Sequence, residues 1–409
     1  MNLMCERGRI NRGIKFFEKT MKKLHFAIYH GFNLLALIVS LVLAALLVFS
    51  AYSGHIDPIK STVYALVAMA FPAILGLSVG MVLLLLIMRR WRISLILIVA
   101  TLISWPTIKI VSPLNITTHK YTAAEDSTKF KVLTFNVKNF CVMKGGDDRI
   151  DNREGQATAR YILDQDADIV LLQEASLAAD YNDLKLMKPL MKEIRKKYPY
   201  RDHGYHDQVI WSKHPYTKVE DPAIKDGFAS PDDPVRNYHF YARAYDVMVP
   251  GHTVRFFNVH LHSIGLSSDD KETYMKLTNL NNVNDKSEMR KVRYGLVAKL
   301  RYAFRTHAAQ ARIIRQVIDQ SGENVIVCGD FNDTPASFSY FTVRGKDLKD
   351  AYMDCGFGPT YTYHENRFYF KIDHVLYRGD MIATKISRDR KGSSDHYPLV
   401  ATFVWKNKK

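Results

Sequence analysis

The sequence predicts an α/β domain built on two sheets and carried behind an apolar helical segment. Three observations lead there. From Phe130 to Trp405, short apolar β-rich runs alternate with stretches of helical period. Before residue 112, three long runs are almost free of charge. In the later part, one strand after another ends on Asn, Glu, Asp or His where a packing residue would be expected.

Residues 1–24 are polar and basic, with seven Lys/Arg against two Glu, and show no globular pattern. Residues 25–111 then hold the apolar runs: Phe32 to Phe49, about Val63 to Met88, and Ile93 to Val111. Each approaches or exceeds the roughly 20 residues that cross a bilayer core as a helix, so three transmembrane helices are expected. A signal peptide competes for the first run, but no small-residue cleavage pattern follows it and two more runs come after. Pro72 and Pro106 should kink their helices, which membrane helices tolerate. The basic N-terminus and Arg89-Arg90-Trp91-Arg92 fall on one side of a three-span protein, whereas Ser50–Thr62 carries one Lys and one Asp. Cationic loops stay inside. The expectation is a multi-pass protein of the cell (inner) membrane, N-terminus cytoplasmic and the rest outside.

The formal net charge of +16 in 409 residues suggests a nucleic-acid partner, but roughly +9 of it belongs to the first 112 residues. What remains is a mildly basic surface. The four cysteines have neither metal-type spacing nor the density of a disulfide framework, and Cys328 reads as a small core residue.

Residues 112–129 read as a polar linker and 130–406 as one globular domain. Strands are expected at Lys131–Phe135, Ile169–Gln173, Val209–Trp211, Arg243–Val249, Val254–His260, Val325–Cys328, His374–Tyr377 and Leu399–Trp405. Helices are expected at Gln156–Asp164, Asp183–Lys197 and Lys291–Gln320, the last with its arginines on a solvated face.

The chemistry gathers around Val325–Pro335, where an apolar strand stops at Gly329 and delivers Asp330 and Asn332, two apart and therefore on one side of an extended chain. Alone, such a turn can merely cap backbone groups. Five further strand ends add Asn136, Glu174, His260 and the pairs Asp373-His374 and Asp395-His396. Each has a packing explanation singly; together they do not. Carboxylate and amide oxygens suit a hard cation such as Mg²⁺ rather than zinc, and a carboxylate beside a His gives an oriented imidazole.

The ordered series Asn136, Leu172-Gln173-Glu174, Ser212-Lys213-His214-Pro215, Asn258-Val259-His260-Leu261, Gly329-Asp330-Phe331-Asn332, Ile372-Asp373-His374 and Ser394-Asp395-His396-Tyr397-Pro398-Leu399 resembles the endonuclease/exonuclease/phosphatase superfamily, the DNase I-like fold. It covers residues 130–406 and none of the apolar segment. The resemblance implies a four-layer α/β sandwich with two central sheets and a site at one edge between them. It implies Glu174 as principal Mg²⁺ ligand (Mn²⁺ able to replace it), with Asn136 and Asp395 close to the metal. Asp330 would orient or deprotonate the attacking water and Asn332 would hold a phosphate oxygen. His396, oriented by Asp373, would contact the scissile phosphate, and His260 would supply a second phosphate-binding or acid group.

Fold alone does not choose the substrate. A membrane-anchored phosphoesterase acting on a lipid or small phosphoester is favoured, with an extracytoplasmic nuclease and an inactive binding module as alternatives. The expected partners are the bilayer and the phosphoester; no obligate protein partner is evident. The variable pieces are Glu220–His239, Ser263–Arg290 and the aromatic run Tyr361–Lys371, the last expected as the packed face of a hairpin. His262 has no implied role.

Overall fold

The computed structural model describes residues 2–117, 119–120, 122, 127–141, 153–175, 188–202, 207–225, 241–265, 286–365 and 369–406, with side chains from residue 19 onward apart from 141, 188, 225 and 286–293. The chain divides into two compact units: residues 1–51 with 70–105, and residues 52–69 with 106–409.

In the first unit, Ala36, Leu85 and Leu97 form a small buried cluster joined by Leu43, Met81 and Ile93. One helix, Lys19–Ser53 within Asn2–Ser53, is long and apolar enough to cross a membrane. The second and third expected spans are not continuous. They are broken into Val63–Met69 and Phe71–Ile87, and into Trp91–Ile103 and Trp105–Val111, giving up to three spans if each pair is one. Both breaks fall just ahead of a proline, Pro72 and Pro106. Proline lacks an N–H and clashes with the preceding turn, so it is accommodated in the first turn of a new helix.

The second unit contains twelve strands among the described residues, in two six-stranded mixed sheets. The first sheet has the order β11-β12-β1-β2-β4-β3. Its strands are β1 (Phe130–Asn136), β2 (Ile169–Gln173), β3 (Tyr200–Arg201), β4 (Val209–Ser212), β11 (Met381–Arg388) and β12 (Leu399–Trp405). The second has the order β5-β6-β7-β8-β10-β9. Its strands are β5 (Tyr216–Lys218), β6 (Ala242–Val249), β7 (His252–His260), β8 (Val325–Asp330), β9 (Lys349–Asp350) and β10 (Asp373–Arg378).

The sheets pack face to face: Phe130, Val132, Ile169 and Leu171 meet Phe256, Ile326, Cys328 and Val375 in one core. On the outer face of the first sheet, Ala159, Ile162 and Ile194 of helices Arg153–Gln165 and Lys188–Lys197 pack on Leu133 and Val170. On the outer face of the second, Ala311, Ile314 and Ile318 of helix Lys286–Asp319 pack on Phe257 and Val327. All eight expected strands are present. Missing from the expectation are β3, β5 and β9, of two or three residues each, and β11, whose pairing with β12 shifts register between Ala383 and Lys385. Helix Lys286–Asp319 starts five residues ahead of its expected start, and residues 183–187 of the second expected helix lie outside the described residues. Within the stretch expected as linker, Leu114 bridges to Phe357, and the Asn115 Nδ2 donates to Met353 O and Gly356 O, each at 2.9 Å.

Candidate active site

Strand register brings the polar strand ends together. Parallel pairing of β7 with β8 sets His260 beside Asp330, and antiparallel pairing of β8 with β10 sets Asp373 opposite Asp330. Parallel pairing of β1 with β2 sets Asn136 beside Gln173, one residue before Glu174. A buried polar network ties the sheets at this end. Gln173 Nε2 donates to Asn258 Oδ1 at 2.6 Å and to Thr134 Oγ1 at 3.1 Å, and Asn258 Nδ2 donates to Leu172 O at 2.9 Å. Directional bonds of this kind fix alignment where apolar packing would allow slippage.

Gly329 shows why β8 can carry Asp330 so close to β7. Its φ is +137°, and a Cβ there would lie 1.9 Å from Val259 O. Glu174 and Asn332 are both left-handed, at φ +48°. For Glu174 such a backbone costs on the order of 1–3 kcal/mol, of the kind held at working sites by the surrounding fold.

Asp330 is the hub. One of its oxygens, Oδ2, accepts from Asn136 Nδ2 at 3.0 Å. It also lies 3.8 Å from His260 Nε2 and 3.6 Å from His396 Nε2. The other, Oδ1, accepts from Asn332 N at 2.8 Å. Burial and the neighbouring Asp373 push its carboxyl up to about 6, against the opposing pull of the two imidazoles. Asn136 also reaches Glu174 Oε1 at 3.0 Å, so a single amide joins two carboxylates. The Asn332 side chain donates to Leu261 O at 2.9 Å, which locks the turn after β8.

Both imidazoles are backed by aspartates. His396 Nδ1 bonds Asp373 Oδ2 at 2.9 Å; burial opposes its charging, but Asp373 and Asp330 hold it up at about 9. His260 Nδ1 is held in the same way by Asp207; burial again opposes, and Asp207, Asp330 and Glu174 raise it to about 10. In both rings the neighbouring carboxylates favour the protonated form against the cost of burial. His260 Nε2 is buried and has no hydrogen-bond partner among the described residues. A buried N–H donor without an acceptor is costly, and this one faces Glu174 Oε1 and Asp330 Oδ2 at 3.9 and 3.8 Å.

Asp395 lies beside Lys138, whose Nζ is 3.0 Å from its Oδ2 and 2.9 Å from Glu365 Oε1. Burial weakens the ammonium, yet Glu365 and Asp395 raise its pKa overall. Glu174, Asp330, Asn332, Asp395 and His396 all line one cavity; Asn136, Asp373, His260 and Asp207 stand behind it as bond partners.

The oxygen set fits a hard cation. Glu174 is half exposed at the cavity, and its Oε2 takes no hydrogen bond among the described residues. A second cluster, Asp330, Asp373 and His396, also has ligand atoms within 4.8 Å of one another. There His396 Nδ1 already satisfies Asp373, and a cation would have to displace the proton of a raised imidazole. That cluster is better described as a carboxylate–imidazole relay.

Over residues 133–396 the chain matches the profile of the Endonuclease/Exonuclease/phosphatase family. The chain belongs to that family. Its members are phosphoesterases, nucleases and phosphatases among them. Residues 33–111 match a separate domain of unknown function. No curated protein matches the chain. Among solved structures it is similar to an endonuclease/exonuclease/phosphatase family protein from Bacteroides thetaiotaomicron, at 17% identity and TM-score 0.43, covering 69% of this chain and 99% of that one. It is also similar to a truncated Caenorhabditis elegans TDP2, at 16% identity and TM-score 0.41, covering 68% and 98%. A third is a mannosyl-6-phosphatase from B. thetaiotaomicron VPI-5482, at 17% identity and TM-score 0.41, covering 68% and 100%.

Two functional neighbours escape sequence reasoning. Asp207 sits in a loop before β4, and nothing in its local pattern marks it as the partner of His260. Lys138 follows β1 directly, and its salt bridges depend on two distant loops. The main chain of His262 is tied into the fold: its carbonyl bonds His307 Nε2 at 2.6 Å and its N–H donates to Gln310 Oε1 at 3.0 Å. The charged residues Asp269, Asp270, Lys271 and Glu272 of the 263–290 insert lie outside the described residues.

Proposed function

We propose that the protein is a membrane-anchored, Mg²⁺-dependent phosphoester hydrolase acting outside the cytoplasm, on a lipid or small phosphoester rather than on nucleic acid. The observation that carries the reading is the convergence of two imidazoles, each backed by an aspartate, on Asp330 Oδ2 at 3.8 and 3.6 Å. Two such imidazoles around one buried carboxylate match the needs of phosphoryl transfer. That reaction asks for a group to take a proton from water and for positive charge around the phosphate oxygens.

In this scheme water attacks phosphorus while its proton passes to Asp330, and the P–O bond to the leaving group breaks. His396, aligned by Asp373, and His260, aligned by Asp207, bind the non-bridging oxygens. One of them returns a proton to the departing oxygen. Asn136 holds Glu174 and Asp330 in register, and Asn332 fixes the turn that presents Asp330. Glu174, with Asn136 and Asp395, would hold Mg²⁺, or Mn²⁺ in its place. The ion, when bound, supplies further positive charge to the phosphate.

A nuclease reading draws support from one feature: the Arg388 guanidinium lies over the rings of both Tyr361 and Tyr397, 4.7 and 5.1 Å from their centres, close in sequence to His396. The inactive-module reading is disfavoured by the completeness of the set. The test is a substrate panel on the full-length protein: duplex DNA, RNA, a sphingomyelin-type lipid and a generic phosphodiester, each with Mg²⁺ and with chelator. Turnover of DNA alone would replace the lipid reading by the nuclease one. For orientation, a reporter fused after Lys409 that is active only in the cytoplasm would contradict the extracytoplasmic placement.

A further inference from the structure

The cavity that holds the carboxylates is lined by apolar as well as polar residues. Beside Glu174, Asp330, Asn332, Asp395 and His396 its lining includes Met69, Ile264, Phe304, Phe370 and Ile372. Its volume is about 170 Å³; a cavity of roughly 150 Å³ admits benzene. That is room for a small apolar group beside a phosphate. This lining is a built surface. Met69 and Ile264 pack on a cluster of Ala65, Leu300 and Phe304, together with Leu66 and Leu296. The segment that carries Met69 is fastened to the rest of its unit at two points, by the Arg312–Asp57 ion pair at 2.5 Å and by His55 stacked on Phe341 at 3.9 Å.

Met69 ends the helix Val63–Met69, and the chain runs on through Ala70 into Phe71–Ile87, the continuation of a candidate membrane span. One residue of the lining, Met69, thus comes from the stretch that leads into the apolar segment. Apolar lining favours a substrate that carries an apolar group, since a wholly hydrophilic one gains nothing there from leaving water.

We propose that Met69, Ile264 and Phe304 form a subsite for the alkyl part of the substrate, so that the enzyme selects an amphiphilic phosphoester of the membrane-lipid kind, with carbon chain beginning next to the phosphate. The inference rests on the phosphoesterase reading above and adds the substrate class.

The test compares two esters that differ only in the chain, methyl and butyl p-nitrophenyl phosphate, on the full-length protein in nanodiscs with Mg²⁺. In parallel, calorimetry measures binding of methyl phosphate and butyl phosphate. The expected result is a kcat/KM and an affinity about tenfold higher for butyl, from partial burial of three methylenes. Met69→Asn and Ile264→Asn should each bring both ratios toward one, and Met69→Leu should restore them. Ratios near one in the wild type, or unchanged in both Asn variants, would overturn the subsite. Hydrolysis of neither ester, with butyl phosphate still bound tenfold more tightly, would overturn the phosphoesterase reading and leave the subsite standing.

Discussion

His396 and His260 flank the same oxygen of Asp330, each backed by an aspartate on its Nδ1, yet their surroundings differ. Asp373 is 2% exposed as a side chain, whereas Asp207 is 37% exposed. The partner of His396 comes from a sheet strand, and the partner of His260 from a loop. Water cannot stand in for Asp373 and can partly stand in for Asp207. Both aspartates raise the pKa of their imidazole, and the difference lies in how far solvent can screen each one. A buried partner controls both the pKa and the orientation of its imidazole; an exposed one is screened.

The largest effect should come from removing the group both imidazoles share. Asp330→Asn keeps the shape and loses the base, so kcat should fall by about 10³ or more. Because the Asp330 carboxyl is pushed above its ordinary value, its ionisation costs the fold stability as pH rises from about 4 toward 6. The variant should therefore unfold no earlier than wild type in a thermal melt. A lower melting temperature would attribute the lost activity to misfolding.

Asp373→Asn is expected next, with a loss of about 10² and a change in pH profile. Wild-type activity should rise as Asp330 ionises near pH 6 and fall as His396 loses its proton near pH 9. Without Asp373 that imidazole loses its principal support, so the alkaline fall should move to lower pH. A purely structural role for Asp373 would lower the rate and leave the profile in place. Asp207→Asn should be mildest, about tenfold, chiefly in KM. Equal losses from the two aspartates would erase the distinction between them.

Much of this was legible in the sequence because strands with continuous apolar runs, such as Ile169–Gln173 and Val325–Cys328, announce themselves by composition, and the residues ending them are read off next. What placed Asp373 against Asp330 was register, which no local pattern specifies. Strand β11 was not legible for a related reason: its mixed face and register shift obscure the alternation. Asp207 was invisible because its role exists only through a contact 53 residues away. The broken second and third spans had a visible cause in Pro72 and Pro106, but the proline signal forecasts a kink within a helix and cannot tell it from a full break.

The most direct test is the hydrolysis of bis(p-nitrophenyl) phosphate by the full-length protein in detergent, followed through chelation and return of Mg²⁺. The account predicts steady release of p-nitrophenol, its loss on chelation, its recovery when Mg²⁺ is restored, and none of these in Asp330→Asn. Turnover indifferent to the chelator, or retained in Asp330→Asn near the wild-type rate, would contradict it.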